Sequence, residues 1–380
     1  MKKILLIFLM VLSLHSLAQN VKHVFLYTKM DAKHTFYDGT KAEVWVYGYY
    51  DPATHQKLSA SLPGPFLEFN VGDSVIIHFW NDTGEPHTIH LHGLDVDQPN
   101  DGVPNTSYAV AAFDSTTYHF NTDHPGNFLY HCHVHTSIHL QKGMYGGIRV
   151  WGNPNQLFSG GPYFYQSSDF IASDVYTNWN TDIFQDYFLI NGMQNQQTGM
   201  YQQDIIYVEE DTSYLLNLFN IGYSITDFIF PNELNAVVHS SDGRPLPSIH
   251  QTDSLRIYPG ERYSVIIKPS MYYNGTIDVK YKSMFEDQYH HTNQIWVNIF
   301  PSEIKEEKSI STIIYPNPAS EYLTVESLIK DQEITVFDTQ GKILTQLIFG
   351  GKNTYDISNW KPGTYYFKIG NEIKPIVISR

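Results

Sequence analysis

FLEFNVGDSVIIHFWND, residues 66–82, sets two short runs rich in Val, Ile and Phe on either side of a Gly-Asp turn and closes on Asn81. Apolar runs of this length bounded by turn residues read as two β-strands. The stretch has a counterpart in IIYVEEDTSYLLNLFN, residues 205–220: a strand, an acidic turn at Asp211, a longer strand, then Asn220. Later in each half a polar turn precedes an aromatic-rich strand, STTYHFN at 115–121 and GERYSVIIK at 260–268. Two copies of one β-domain are predicted. Similar short runs recur to the end of the chain, and amphipathic helical stretches of any length are hard to find. The fold class is therefore all-β, of the sandwich or barrel kind.

The remaining organisation follows from composition. MKKILLIFLMVLSLHSLAQN opens with two lysines and an apolar run too short to span a bilayer, which predicts a signal peptide at 1–18 and export. The two β-domains are expected at 19–152 and 153–303. PSEIKEEKSIST, 301–312, is charged and nearly free of large apolar residues and reads as a linker. Beyond it about six short strands, with a hairpin signal at Thr339–Gly341, predict a small third β-sandwich within 304–380. The net charge of −15, from 24 basic and 39 acidic residues, argues against nucleic acid as a partner.

The chemistry concentrates in the first copy. Where it reads EPHTIHLHGL (85–94), the second reads GYSITDFIFP (222–231), without a histidine. HCHVHTSIHLQKGM, 131–144, carries four histidines, the only cysteine of the chain and a methionine. Alternate residues of a strand share a face, so His90 and His92 point one way, as do His131 and His133, while Cys132 points to the other. Two histidines, one thiolate and a distant thioether are the ligand set of a blue, type 1 copper centre. His87, Cys132, His139 and Met144 supply it. A coordinated, buried thiolate of lowered pKa would also explain how an unpaired cysteine survives export. His78 and His119 sit between apolar neighbours and are expected to face solvent, His124, His239, His250, His290 and His291 lack ligand-like spacing, and His135, one step beyond His133 on the same face, is a candidate for a metal-adjacent place.

PGPFLEFNVGDSVIIHFWN, EPHTIHLHGLDVDQPNDGVP and HPGNFLYHCHVHTSIHLQKGMYGGIRV resemble the cupredoxin domains of multicopper oxidases, the laccase relatives. YFLINGM, HSSDGRPL and YPGERYSVII are similar to the family's copper-free domain. The resemblance implies two tandem cupredoxin-like Greek-key β-sandwiches, with type 1 copper at His87, Cys132, His139 and Met144. It makes His90, His92, His131 and His133 ligands of a type 2/type 3 copper cluster, where dioxygen is reduced. Electrons would enter from a small reductant or redox protein and cross through Cys132 to the flanking histidines. Two departures stand out. Six residues separate Cys132 from His139 where the family usually has four, which implies a lengthened loop. The family's cluster takes eight histidines from two domains, and this chain offers four. Either two copies of the chain meet in a homo-oligomer with copper at the interface, another polypeptide supplies the rest, or the cluster shrinks to one type 2 copper as in nitrite reductases. The alternatives are thus an enzyme reducing nitrite and a non-enzymatic type 1 copper electron carrier. IIYPNPASEYLTVES, ITVFDTQGKIL and WKPGTYYFKI resemble the Ig-like sorting domains that direct cargo to the type IX secretion machinery, implying a secreted or cell-surface protein exported through the periplasm.

Overall fold

The structure is a computed structural model. It describes residues 20–177, 185–193, 205–300, 313–326, 332–339, 341–349, 352–369 and 372–379. The expected signal peptide and linker lie outside the described residues. The chain divides into two compact units, one up to Ser302 and one from Glu303.

The first unit contains two sandwiches built to one plan. In the first, a five-stranded sheet runs in the order 57–60, 41–50, 21–35, 74–80, 115–121, and a four-stranded sheet in the order 67–70, 145–151, 126–131, 90–92. Val21–Tyr27 pairs parallel with Ser74–Trp80, which pairs antiparallel with Ser115–Asn121. The second sandwich repeats these relations: Gln166–Ala172 lies parallel to Tyr214–Asn220, which pairs antiparallel with Arg262–Ile267. The opening strand of each quoted stretch also repeats, Leu67–Asn70 pairing parallel with Ile148–Trp151 and Ile206–Glu209 with Val297–Phe300. The similarity read between 66–82 and 205–220 is thus a similarity of strand pairing.

The paired asparagines explain why both copies keep that residue. Asn81 Nδ2 donates to the carbonyl of Glu85, four residues on, at 2.8 Å, and Asn220 Nδ2 donates to that of Ser224 at 2.8 Å. Each side chain is fully buried and ties the end of the long strand to the loop that follows. Asn81 Nδ2 also donates to the Val110 and Ala111 carbonyls. Buried amides so satisfied hold a loop without needing a metal or water.

The core of the first sandwich gathers Tyr47, Phe79, Tyr118, Phe128 and Tyr130 around Cys132 and Met144. Two of its phenols steer the segment after Asn81: Tyr47 Oη donates to the Thr88 carbonyl at 2.6 Å, and Tyr118 Oη accepts from Ile89 N at 3.2 Å. The second unit holds seven described strands rather than six, in sheets of three (313–315, 322–326, 352–356) and four (343–349, 332–337, 363–369, 372–378). Leu323, Val325, Ile334, Val336 and Phe367 fill its own core, and the predicted hairpin joins Gln332–Phe337 to Ile343–Phe349. Among the described residues no helix is long and apolar enough to cross a membrane.

Candidate metal centres

His87 sits in the loop that Asn81 anchors, bridged to Val110 by His87 N to Val110 O at 3.1 Å and the reciprocal bond at 2.9 Å. Cys132 does not lie within a strand as the alternation assumed. The strand Gly126–His131 ends one residue earlier, and Cys132 N instead donates to the Met144 carbonyl at 3.1 Å. The six residues between Cys132 and His139 are not an open loop. They turn at His135, whose φ is +43°, and enter a short helix, Thr136–Gln141, with His139 on its last turn. Met144 N then donates to the His139 carbonyl at 3.0 Å. The extra residues are absorbed as helix, so the ends of the segment still meet.

Three donors converge there. Cys132 Sγ lies 3.0 Å from His139 Nδ1 and 3.6 Å from His87 Nδ1, and the two rings are 4.9 Å apart. Cys132, His87 and Met144 are fully buried and His139 nearly so. Trp45 closes the outer side, its ring edge-on to His139 at 5.1 Å and to His87 at 6.2 Å, and Lys142 lies over the indole with Nζ 3.7 Å from its centroid. Burial pushes His87 down to about 4 and His139 to about 3, so both imidazoles are neutral at pH 7 with a nitrogen lone pair to give. Burial raises the Cys132 thiol to about 11 with no metal beside it, while the lowered pKa was expected of the coordinated thiolate. Before metal enters, the cysteine is preserved as a protonated group away from solvent. Two imidazoles and a sulfur in a dry pocket, with a thioether in the same core cluster, are the donor set that copper takes in type 1 sites.

The second cluster stands one residue away. The short strand His90–His92 pairs antiparallel with the end of Gly126–His131, setting His90 opposite His131. His92 Nδ1 and His131 Nε2 are 3.3 Å apart, and His90 lies 5.0 Å from His131 between ring centroids. Ring tautomers are set by neighbours. His131 Nδ1 donates to the Cys132 carbonyl at 3.0 Å and His90 Nδ1 to the Asp101 carbonyl at 2.7 Å, which leaves Nε2 of each as a lone-pair donor. Burial lowers all three pKa values; His92 falls to about 4, with the Arg262 charge as the next cause. His133 is beside them, half-buried, its ring 5.2 Å from His90, but only His90, His92 and His131 bring donor atoms within 4.8 Å of one another. Among the described residues, these two clusters are the groups of three or more such donors that converge.

The other histidines are elsewhere: His78 stacks on Phe25 and bonds to His23 at 2.9 Å, and His135 is exposed at the helix start, its ring 6.2 Å from His139. Sequence reasoning missed Asp101, which lies at the end of DVDQPND, 95–101, just past the His90–His92 strand. Gly102 brings Asp101 in: its φ is +69°, and a Cβ there would overlap the Ile89 carbonyl and stand 3.0 Å from His90 N. It also missed Trp45, which had no signal beyond its type, and Arg262, which lies in the second copy.

Fold and clusters together define a cupredoxin-type copper protein. Sequence profiles described as multicopper oxidase match residues 41–155 and 164–295, and one described as a secretion system C-terminal sorting domain matches 313–379. The chain belongs to the multicopper oxidase family, which binds copper at type 1 and additional sites, and its tail implies secretion or export to the cell surface. Laccase 1 of Metarhizium acridum is 38% identical over 95 residues, 24% of this chain and 15% of the relative. The chain spans 15% to 41% of the length of the curated relatives it matches. Among solved structures, the blue copper oxidase from Nitrosomonas europaea superposes with a TM-score of 0.59 at 21% identity, covering 74% of this chain and 86% of that one. The copper nitrite reductase from Nitrosomonas europaea gives 0.58 at 17% identity, covering 73% and 94%. At these identities the likeness is one of fold.

Proposed function

We propose that the chain is an exported copper oxidoreductase that takes single electrons from a small reductant or redox protein at His87, Cys132, His139 and Met144. It delivers them to dioxygen at a second copper site on His90, His92 and His131, with His133 alongside. The observation that carries this reading is the adjacency of the clusters: Cys132 belongs to one, and His131, its chain neighbour, to the other. Copper, when bound, supplies reversible one-electron redox chemistry at the first cluster and an open coordination position for an oxygen ligand at the second.

The chain's own residues do the rest. Cys132 and His131 join the clusters through one peptide bond and through the bond from His131 Nδ1 to the Cys132 carbonyl. Thr88 Oγ1 accepts from His133 N at 2.9 Å and so fixes the chain beyond Cys132. Trp45 and the surrounding core exclude water from the sulfur. Asp101 keeps the His90 proton on Nδ1. We read residues 19–152 and 153–303 as the two cupredoxin domains, and a homo-oligomer as the source of the missing cluster ligands, since His90, His92 and His133 are only half-buried in the single chain.

Reduction of nitrite is the second reading, favoured by a converging set of three imidazoles rather than eight. The test is copper per chain with visible and paramagnetic resonance spectra, followed by dioxygen and nitrite consumption. Two or more coppers, with a second signal lost in a His92→Ala, His131→Ala double variant, support the oxidoreductase. One copper with only the type 1 signal leaves an electron carrier.

A further inference from the structure

The second sandwich of the first unit packs against His92, and what it presents there is not an imidazole. Gly260 lies on the ring: a Cβ built on it would stand 3.1 Å from His92 Cε1 and 3.4 Å from Nε2. Two residues on, Arg262 is 3% exposed. Its guanidinium is held on most sides. Nε donates to the Asn127 carbonyl at 3.3 Å, and Nη1 donates to the Gly260 carbonyl at 2.7 Å and pairs with Asp242 Oδ1 at 2.8 Å. Nη2 is buried and has no hydrogen-bond acceptor. It rests on Gly93, the residue after His92, where a Cβ would collide with it and stand 3.0 Å from Cζ. Gly93 has φ +87° and no side chain, so the guanidinium reaches the main chain of the His90–His92 strand directly.

A buried N–H of a charged group left unpaired is costly, and a water, an ion or a functional role is the usual reason a native structure keeps one. Three imidazole donors would leave a metal ion short of ligands, and a guanidinium set against Gly93, next in the chain to His92, would favour a negatively charged one. We propose that Arg262 Nη2 is an anion hook of the second copper site, accepting a small monoanion that also ligates the metal at His90, His92 and His131. The hook rests on the reading that these histidines hold copper. It assigns to the second sandwich a part in ligand binding, although that copy has no histidine where the first has His87, His90 and His92.

The test uses the full chain loaded with copper and azide as the probe, titrated through its charge-transfer absorption and the paramagnetic resonance of the second copper. Arg262→Gln is expected to weaken azide binding by about tenfold or more, equivalent to about 1.4 kcal/mol, with the type 1 spectrum unchanged. Arg262→Lys should recover part of it. Because Arg262 also braces the two sandwiches, the Gln variant can fail to fold. Asp242→Asn leaves the arginine in place and removes its counter-charge, and is expected to tighten azide binding. Unchanged azide affinity in Asp242→Asn, or in an Arg262→Gln variant that retains both coppers, overturns the hook while leaving the copper reading intact. A wild-type chain that binds only the type 1 copper overturns both.

Discussion

Metal loading of the His87, Cys132 and His139 cluster should release one proton per chain, and the structure says which one. At pH 7 the imidazoles have none to give, since burial holds His87 near 4 and His139 near 3. In the second cluster burial likewise pushes His90, His92 and His131 below the ordinary imidazole value. The Cys132 thiol, raised to about 11, is the one donor still protonated. Ligation requires the thiolate, so the metal must displace that proton. Four units between pH 7 and the thiol pKa cost about 5 kcal/mol of apparent affinity. Affinity at the first cluster should therefore rise about tenfold per pH unit from pH 6 to 9. The measurement is indicator-dye titration in weak buffer, first with zinc ion, which is redox-silent, then with cupric ion. One proton should appear on filling the first cluster and none on filling the second, and Cys132→Ala should release none at all. A wild-type chain that binds metal at the first cluster with no proton released, or a Cys132→Ala variant that matches it, refutes the reasoning.

Acid should destabilise the unloaded protein. A histidine held near 4 when folded and 6.5 when unfolded leaves the unfolded chain binding more protons below pH 6.5, so stability present above that pH is lost as pH falls towards 4, by about 3 kcal/mol for His87 alone; denaturant melts at pH 7 and 4.5 that coincide would contradict this. Gly102→Ala, which pushes a methyl into the Ile89 carbonyl, should move Asp101 off His90 and lower copper at the second cluster while the blue absorption stays. Tyr47→Phe leaves the buried Thr88 carbonyl without its phenol donor and should lower unfolding free energy by about 1 to 3 kcal/mol, read in denaturant. Deleting residues 303–380 removes a unit with its own core, so copper per chain should be unchanged while secretion is lost, as culture fractionation would show.

Much of this was visible in the residues because strand pairing imposes short-range rules. The duplicated turn at Asp73 and Asp211, and the paired Asn81 and Asn220, announced one plan used twice. The HxxHxHG and HCH spacings separated two donor sets because consecutive residues of an extended chain face opposite ways. The structure gathers His87, Cys132 and His139 in one group and His90, His92 and His131 in another, although Cys132 lies just past the strand. The spacing from Cys132 to His139 could be counted but not shaped, since six residues make a helical turn here only by virtue of what holds their ends. Asp101, Trp45 and Arg262 were out of reach for a related reason. Each meets the donor clusters through a contact remote in sequence, and no local pattern marks a residue whose partner arrives from another loop.

Asn81 and Asn220 make the same bond in a copy that bears histidine ligands and in one that does not. The loop presenting His87 is therefore held by an amide and two core phenols, none of them a candidate metal ligand. Such a pocket is a mould rather than a crosslink. The side chains that shape the loop are thus separate from the ones that would hold the ion.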